Sequence, residues 1–231
     1  MKDPESLDAP TRRDEVEGEG AIRGTARMEA FADAVFAIAF TLPVVEIIMP
    51  EVAGDGRELG HELAVLAPPY AGYVLASSVI GLYFVRHHFS GAIFRSTGHW
   101  FVMATTVFLA AIGFIAFPAR VIAEHFSDAA ARPAAAQYWV VSLAVLSLAW
   151  LLKWSVGVNH GHIDARLERD YVNGLTRHYR VVTALYGVAA IVVFWHWPSG
   201  LALAAALVAW MLVPPDTPRY ITLAPIIEGE S

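Results

Sequence analysis

The sequence contains no cysteine, which excludes disulfides, thiolate metal sites and cysteine nucleophiles. Charge is also scarce, with Asp, Glu, Lys and Arg making up 16% of the 231 residues. A nucleotide-binding glycine loop, a zinc signature, H-E-x-x-H, a low-complexity linker and a convincing internal repeat are all missing. No recurring Ser/His/Asp cluster is present either, so an enzyme is not expected; nor is a nucleic-acid partner. The N-terminal segment is rich in Asp, Glu and Gly without apolar periodicity and supplies part of the net charge of −6. It lacks the basic start and short apolar core of a cleavable signal peptide. Residues 1–25 are expected to form a disordered acidic segment.

What is abundant is apolar surface. Hydrophobic residues make up 56% of the chain and mean hydropathy is +0.49, far above a soluble domain of this length. A spanning helix needs about 20 mostly apolar residues, and six segments qualify: 27–49, 68–89, 98–119, 134–156, 179–196 and 198–214. The sequence therefore predicts an all-α integral membrane domain over residues 26–214 with six transmembrane helices and a tail over 215–231. Trp195-His196-Trp197-Pro198-Ser199-Gly200 separates the last two runs, and a Pro suits the first turn of a new helix, so a tight hairpin is expected there.

Orientation follows from the cations, because cytoplasmic segments carry the excess of Lys and Arg. Six spans put Lys2, Arg12, Arg13, Arg23, Arg27, Arg86, Arg95, Lys153, Arg166, Arg169, Arg177, Arg180 and Arg219 on one side, and Arg57, Arg120 and Arg132 on the other. Both termini are then cytoplasmic, in a multi-pass protein of the cell membrane with the lipid bilayer as its first partner.

The first span carries ionisable groups, Arg27 and Asp33. An ionised carboxylate in hydrocarbon costs roughly 2.5 kcal/mol or more, so Asp33 should face protein or a water-filled cavity. Arg27 and Asp33 are about 120° apart around a helix axis and make no good intrahelical pair, so each needs partners elsewhere. The bland reading is a buried polar network that locks the first helix to its neighbours. Ile38, Leu42 and Val45 share a helix face, with Thr41 at its border. From spacing alone the commoner reading is a packing or lipid-facing stripe. Pro43 lacks an N–H and clashes with the carbonyl of Ala39, giving either a gating hinge or a static kink. Glu46 and Glu51, followed by Asp55, Glu58 and Glu62, make the outer connection acidic, which attracts cations or simply solvates a loop.

Arg27-x-x-x-Phe31-Ala32-Asp33, followed by Val35-Phe36-Ala37-Ile38-Ala39-x-Thr41-Leu42-x-Val44-x-Glu46-Ile47, resembles the R-x-x-x-F-S-D first helix of the prokaryotic relatives of the endosomal and lysosomal potassium channel. Tyr73 and Ser77, then Gly81-Leu82-Tyr83-Phe84-Val85-Arg86-His87-His88, resemble that family's second helix, and Phe117-Pro118 the end of its third. Ala32 replaces the motif serine, Phe84 stands where tryptophan is usual, Thr105 or Thr106 where asparagine is common, and Pro43 is unexpected. The resemblance implies a potassium-permeable homotetramer, with no cofactor beyond the permeant potassium ions. Its pore is lined by the first helix and narrows at a hydrophobic ring that maps onto Ile38, with Thr41, Leu42 and Val45 also facing the pore. Arg27, Phe31 and Asp33 map onto the architectural motif. The family lacks the T-V-G-Y-G filter loop, and so does this sequence.

The histidines offer a weaker signal. His87 and His88 diverge by about 100° on a helix and cannot share one ion, though either titrates near neutrality. His160-Gly161-His162-Ile163-Asp164 converges only if extended, and a flexible connection is the simpler reading; no metal is expected. The main rival to a channel is an ion- or proton-coupled secondary transporter using Asp33, but the paired halves common in transporters are absent from the sequence.

Overall fold

The computed structural model describes residues 24–49, 56–214 and 217–221. Eight helices follow one another among them: α1 Ala26–Val45, α2 Gly56–Val65, α3 Ala67–Gly91, α4 His99–Phe114, α5 Ala116–His125, α6 Arg132–Asn159, α7 Arg169–Trp195 and α8 Trp197–Trp210. The described residues form no strand, only two isolated bridges, Phe94 with Ile163 and Leu167 with Tyr220. α1, α3, α6, α7 and the α4–α5 pair taken together are long and apolar enough to cross a membrane.

Several boundaries differ from the sequence expectation, each for a local reason. α1 stops at Val45, two residues after Pro43, because the missing N–H leaves the Ala39 carbonyl without its helical partner. The third apolar run splits at Ile115 into α4 and α5; Pro118 cannot donate to Phe114, so the ladder is interrupted there. α5 then carries the run on to His125. α7 begins at Arg169, ten residues before the apolar stretch that marks it in sequence. Its charged first turns include Arg169, Asp170 and Arg177, so hydropathy detects only the later part. The outer connection, expected as a loop, contains α2.

α8 is the short member. Fourteen residues reach about 21 Å at 1.5 Å each, less than the roughly 30 Å hydrocarbon core. The hairpin before it is as tight as the sequence indicates: His196 alone separates α7 from α8, and Pro198 lies in the first turn. Gly200 permits this, since a Cβ there would come within 2.5 Å of the Val193 Cα.

α6 is the hub. It packs against α4, α5, α7 and α8, while α1 packs only on α3 and α4 among the stronger helix contacts. Trp139, Leu143, Leu146, Trp150 and Trp154 are buried along it, and the Trp154 Nε1 donates to Thr176 Oγ1 of α7 at 2.9 Å. Gly161, with φ of 71°, ends α6 in the left-handed conformation that glycine adopts without steric penalty. The His162 N–H then returns to the Gly157 carbonyl at 3.0 Å.

The connections sort to two ends of the bundle. At one end Thr97 donates to the Gly24 carbonyl at 3.4 Å, and Arg95 N–H to the His162 carbonyl at 2.9 Å. Glu168 N–H reaches the Arg219 carbonyl at 2.9 Å there as well. At the other end Arg120 pairs with Glu46 at 2.9 Å, and the Arg132 guanidinium lies 5.7 Å from the Trp197 ring centroid.

Candidate functional site

α1 has two faces that do different work. Ala32, Phe36 and Ala39 are buried against the rest of the subunit. Residues advance about 100° per step, so Ile38 and Leu42 fall well away from that face, and Val45 lies almost opposite it. Their exposures are 56%, 56% and 75%, and Phe31 on the same side is 55% exposed. Phe31, Ala34, Ile38, Thr41 and Val45 repeat at alternating spacings of three and four, the seam by which helices meet in bundles. Thr41 is exposed, and its hydroxyl donates to the Ala37 carbonyl at 2.9 Å and the Ile38 carbonyl at 3.3 Å. The single hydroxyl proton is thus committed to its own helix, leaving the oxygen lone pairs, which are what a cation takes.

Asp33 and Arg27 are exposed on the subunit. Within the single chain their exposure leaves the polar network expected from sequence, one that locks the first helix to its neighbours, without burial. The buried charge lies elsewhere. Lys153, counted from sequence as part of a cytoplasmic connection, sits inside α6 at 1% exposure. Its ammonium form donates to His87 Nδ1 at 2.7 Å and to Ser90 Oγ at 3.3 Å, and lies 4.7 Å from the Trp150 ring centroid. A charge in this position is held by donor geometry and aromatic faces together. Glu29, in the first turn of α1, is the acid that interacts with it electrostatically. The His87 ring also packs on Phe36 of α1 at 5.5 Å. Lys153 is therefore a link between α6, α3 and α1. A lysine at the end of an apolar run is the one signal in the sequence that pointed to it.

The C-terminal end of α1 is stapled. Arg120 holds Glu46 at 2.9 Å and Glu124 at 2.6 Å, so the Glu46 charge is directly opposed by a cation rather than standing alone. Glu51 lies outside the described residues.

His87 is buried and His88 exposed, diverging as helix geometry requires. The His160–Asp164 segment is a built corner, which corrects the flexible connection expected from its glycines. His162 Nδ1 lies 3.0 Å from Ser96 Oγ and its ring stacks on Phe101. Asp164 accepts from Arg166 Nη2 at 2.8 Å and from Arg95 Nε at 2.9 Å. Arg166, through side chain and backbone, and then Arg95 hold the Asp164 carboxyl well below the usual carboxylate range. With both oxygens engaged it makes a poor metal ligand, and no group of three or more His, Asp or Glu able to hold a metal occurs among the described residues.

Residues 27–116 match the family described as endosomal/lysosomal potassium channel TMEM175. A protein named as a potassium channel from Streptomyces collinus is 34% identical over 144 residues, covering 62% of this chain and 69% of that one. Another, from Chamaesiphon minutus, is 32% identical over 167 residues, 71% of this chain and 82% of that one. The fold resembles the crystal structure of a lysosomal potassium-selective channel TMEM175 homolog from Chamaesiphon minutus. The TM-score is 0.69 at 26% identity, over 82% of this chain and 96% of that one.

Proposed function

Because this chain belongs to the TMEM175 potassium channel family, whose members are channels and not enzymes, we propose that it forms a homotetrameric, potassium-permeable pore lined by α1. The observation that carries this reading is the α1 face bearing Ile38, Leu42 and Val45, which the subunit leaves uncovered at 56–75% exposure. The four other elements of spanning length lie on the covered side of α1, and their packing uses α6 as its centre. One subunit thus has no second wall to place opposite α1, whereas copies of α1 meeting on a closed rotational axis supply one.

In that assembly Ile38 forms an apolar ring that gates by dewetting, and Thr41 one turn outward offers hydroxyl oxygens that replace part of the ion's hydration. Leu42 and Val45 continue the lining. Arg27, Phe31 and Asp33 belong to the part of α1 nearest the neighbouring subunits and position it there. Glu46 and Glu124 set against Arg120 leave one negative charge per subunit in that cluster at the outer mouth, which favours cations.

The cations at the end of the bundle holding Arg27, Arg95, Arg166 and Arg219 outnumber those at the end holding Arg120 and Arg132. This supports cytoplasmic termini in the cell membrane, with α8 as a sixth, thin-spanning helix. Residues 26–214 form the channel domain, flanked by an acidic N-terminal segment and a cytoplasmic tail.

Reconstitution into liposomes tests the function: passive potassium flux with a reversal potential near that of potassium is expected. Leu42→Cys, in a chain that has no cysteine of its own, should crosslink between subunits. A conducting protein that is strictly monomeric in bilayers overturns the α1 pore.

A further inference from the structure

α8 ends level with His178, whose ring meets Trp210 at 5.4 Å, while α7 extends more than two further turns to Arg169. The gap left beside these extra turns is a cavity of about 390 Å³, lined among others by Arg86, Glu168, Asp170, His178, Trp210 and Arg219. That volume lies within the roughly 300–1,000 Å³ typical of small-molecule sites. Arg86 comes from the end of α3 and is 8% exposed. Its Nη2 donates to the Met211 carbonyl at 3.4 Å. Its Nε is buried without a partner, an expensive state for a guanidinium N–H.

We propose that this cavity binds the headgroup of a phospholipid bearing a primary amine, a phosphoethanolamine, with its phosphate toward Arg86 and its ammonium toward Glu168 and Asp170. The position along the bundle fits, because Trp210 is the last residue of the apolar α8, and aromatic side chains at the ends of apolar helices mark the membrane interface. Charge fits in both sum and order. The described lining carries two arginines and two carboxylates, so it suits a zwitterion better than a free anion. The buried cation is the deeper group and the more exposed Asp170 the shallower one, the same sequence as phosphate and amine running outward from the acyl chains. Beside the mouth, Leu212 and Val213 are 70% and 56% exposed and offer the acyl chains an apolar path. This site is separate from the α1 face and does not depend on the pore reading.

Native mass spectrometry of the full-length protein released from detergent tests the proposal. The probes are phosphatidylethanolamine and phosphatidylglycerol of identical chains, with O-phosphoethanolamine and inorganic phosphate as soluble competitors. Phosphatidylethanolamine should bind about fivefold more tightly, the effect of partly exposed ion pairs. Arg86→Met should lose retention of both lipids. Glu168→Gln combined with Asp170→Asn, both isosteric changes, should keep binding and bring the two lipids level. That pair decides the matter if Arg86→Met does not fold. Equal affinity of the parent protein for the two lipids, or an unchanged preference in the double variant, overturns the proposal. Displacement of the lipid by inorganic phosphate assigns the cavity to a soluble anion and overturns it as well.

Discussion

Over their most apolar eighteen residues, α6 has 56% of its positions buried and α1 has 22%, although the two stretches are equally hydropathic. α6 encloses even a lysine, Lys153, among Trp150, Phe94 and Phe108. α1 leaves Ile38, Leu42 and Val45 uncovered on one side and uses only Ala32, Phe36 and Ala39 to hold on. Small residues at two of those three contacts let the α1 backbone come close to its neighbours, the usual device of helix packing in lipid. The difference separates a helix whose side chains are needed to make one subunit from a helix whose far side is available for something outside it.

Substitution in the two helices should split stability from conduction. Trp154→Ala in α6 removes a fully buried indole and its hydrogen bond to Thr176, and should cost about 3–5 kcal/mol of subunit stability. Leu42→Ala in α1 should change it by less than about 0.5 kcal/mol. Denaturant unfolding in micelles measures both, and equal losses would erase the contrast between the helices.

A sharper probe is Ile38→Asn, which replaces the proposed apolar ring by amides able to hold water. A barrier lower by about 1.4 kcal/mol corresponds to roughly tenfold in flux. Conductance should rise on that scale while discrimination against sodium weakens, read from single-channel currents and reversal potentials. An unchanged current with normal assembly removes α1 from the narrow part of the pathway.

The corner that ends α6 should respond to acid. Because the folded state holds the Asp164 carboxyl below its ordinary range, its contribution is complete above the unfolded value near pH 4 and fades as pH falls below it. Asp164→Asn should cost about 1 kcal/mol at neutral pH, since both arginine partners are largely exposed and such pairs are weak. It should also flatten the acid limb of a stability profile. A profile identical to that of the parent assigns no role to this corner.

The smallest effect is expected of Thr41→Val, which keeps the volume but removes the hydroxyl oxygen. Potassium over sodium selectivity should fall by about two- to threefold, equivalent to about half a kcal/mol, with the proposed apolar ring left intact. Unaltered selectivity places the ion's ligands elsewhere on the helix.

The sequence made the membrane class legible, along with the all-helical fold, the span-length runs and the tight hairpin at His196. It did so because hydropathy over some twenty residues and the chemistry of Pro and Gly are local properties. It also carried the first-helix motif that led to the family, since Arg27, Phe31 and Asp33 are read directly from their spacing. It misjudged the start of α7 and the length of α8, where charged turns outside hydrocarbon look like loop and an apolar run outlasts its helix. It counted Lys153 with the cytoplasmic-side cations because one cation at the end of an apolar run looks the same whether its neighbours are solvent or Trp150, His87 and Ser90. Which side of α1 is covered, where Glu46 finds Arg120, and how Arg86 comes to line a cavity with residues eighty to more than one hundred and thirty positions away were decided only by the tertiary structure. Those outcomes depend on which helices become neighbours, and in a medium as apolar as the side chains themselves that choice rests on close packing and polar pairing between distant residues, which no local pattern encodes.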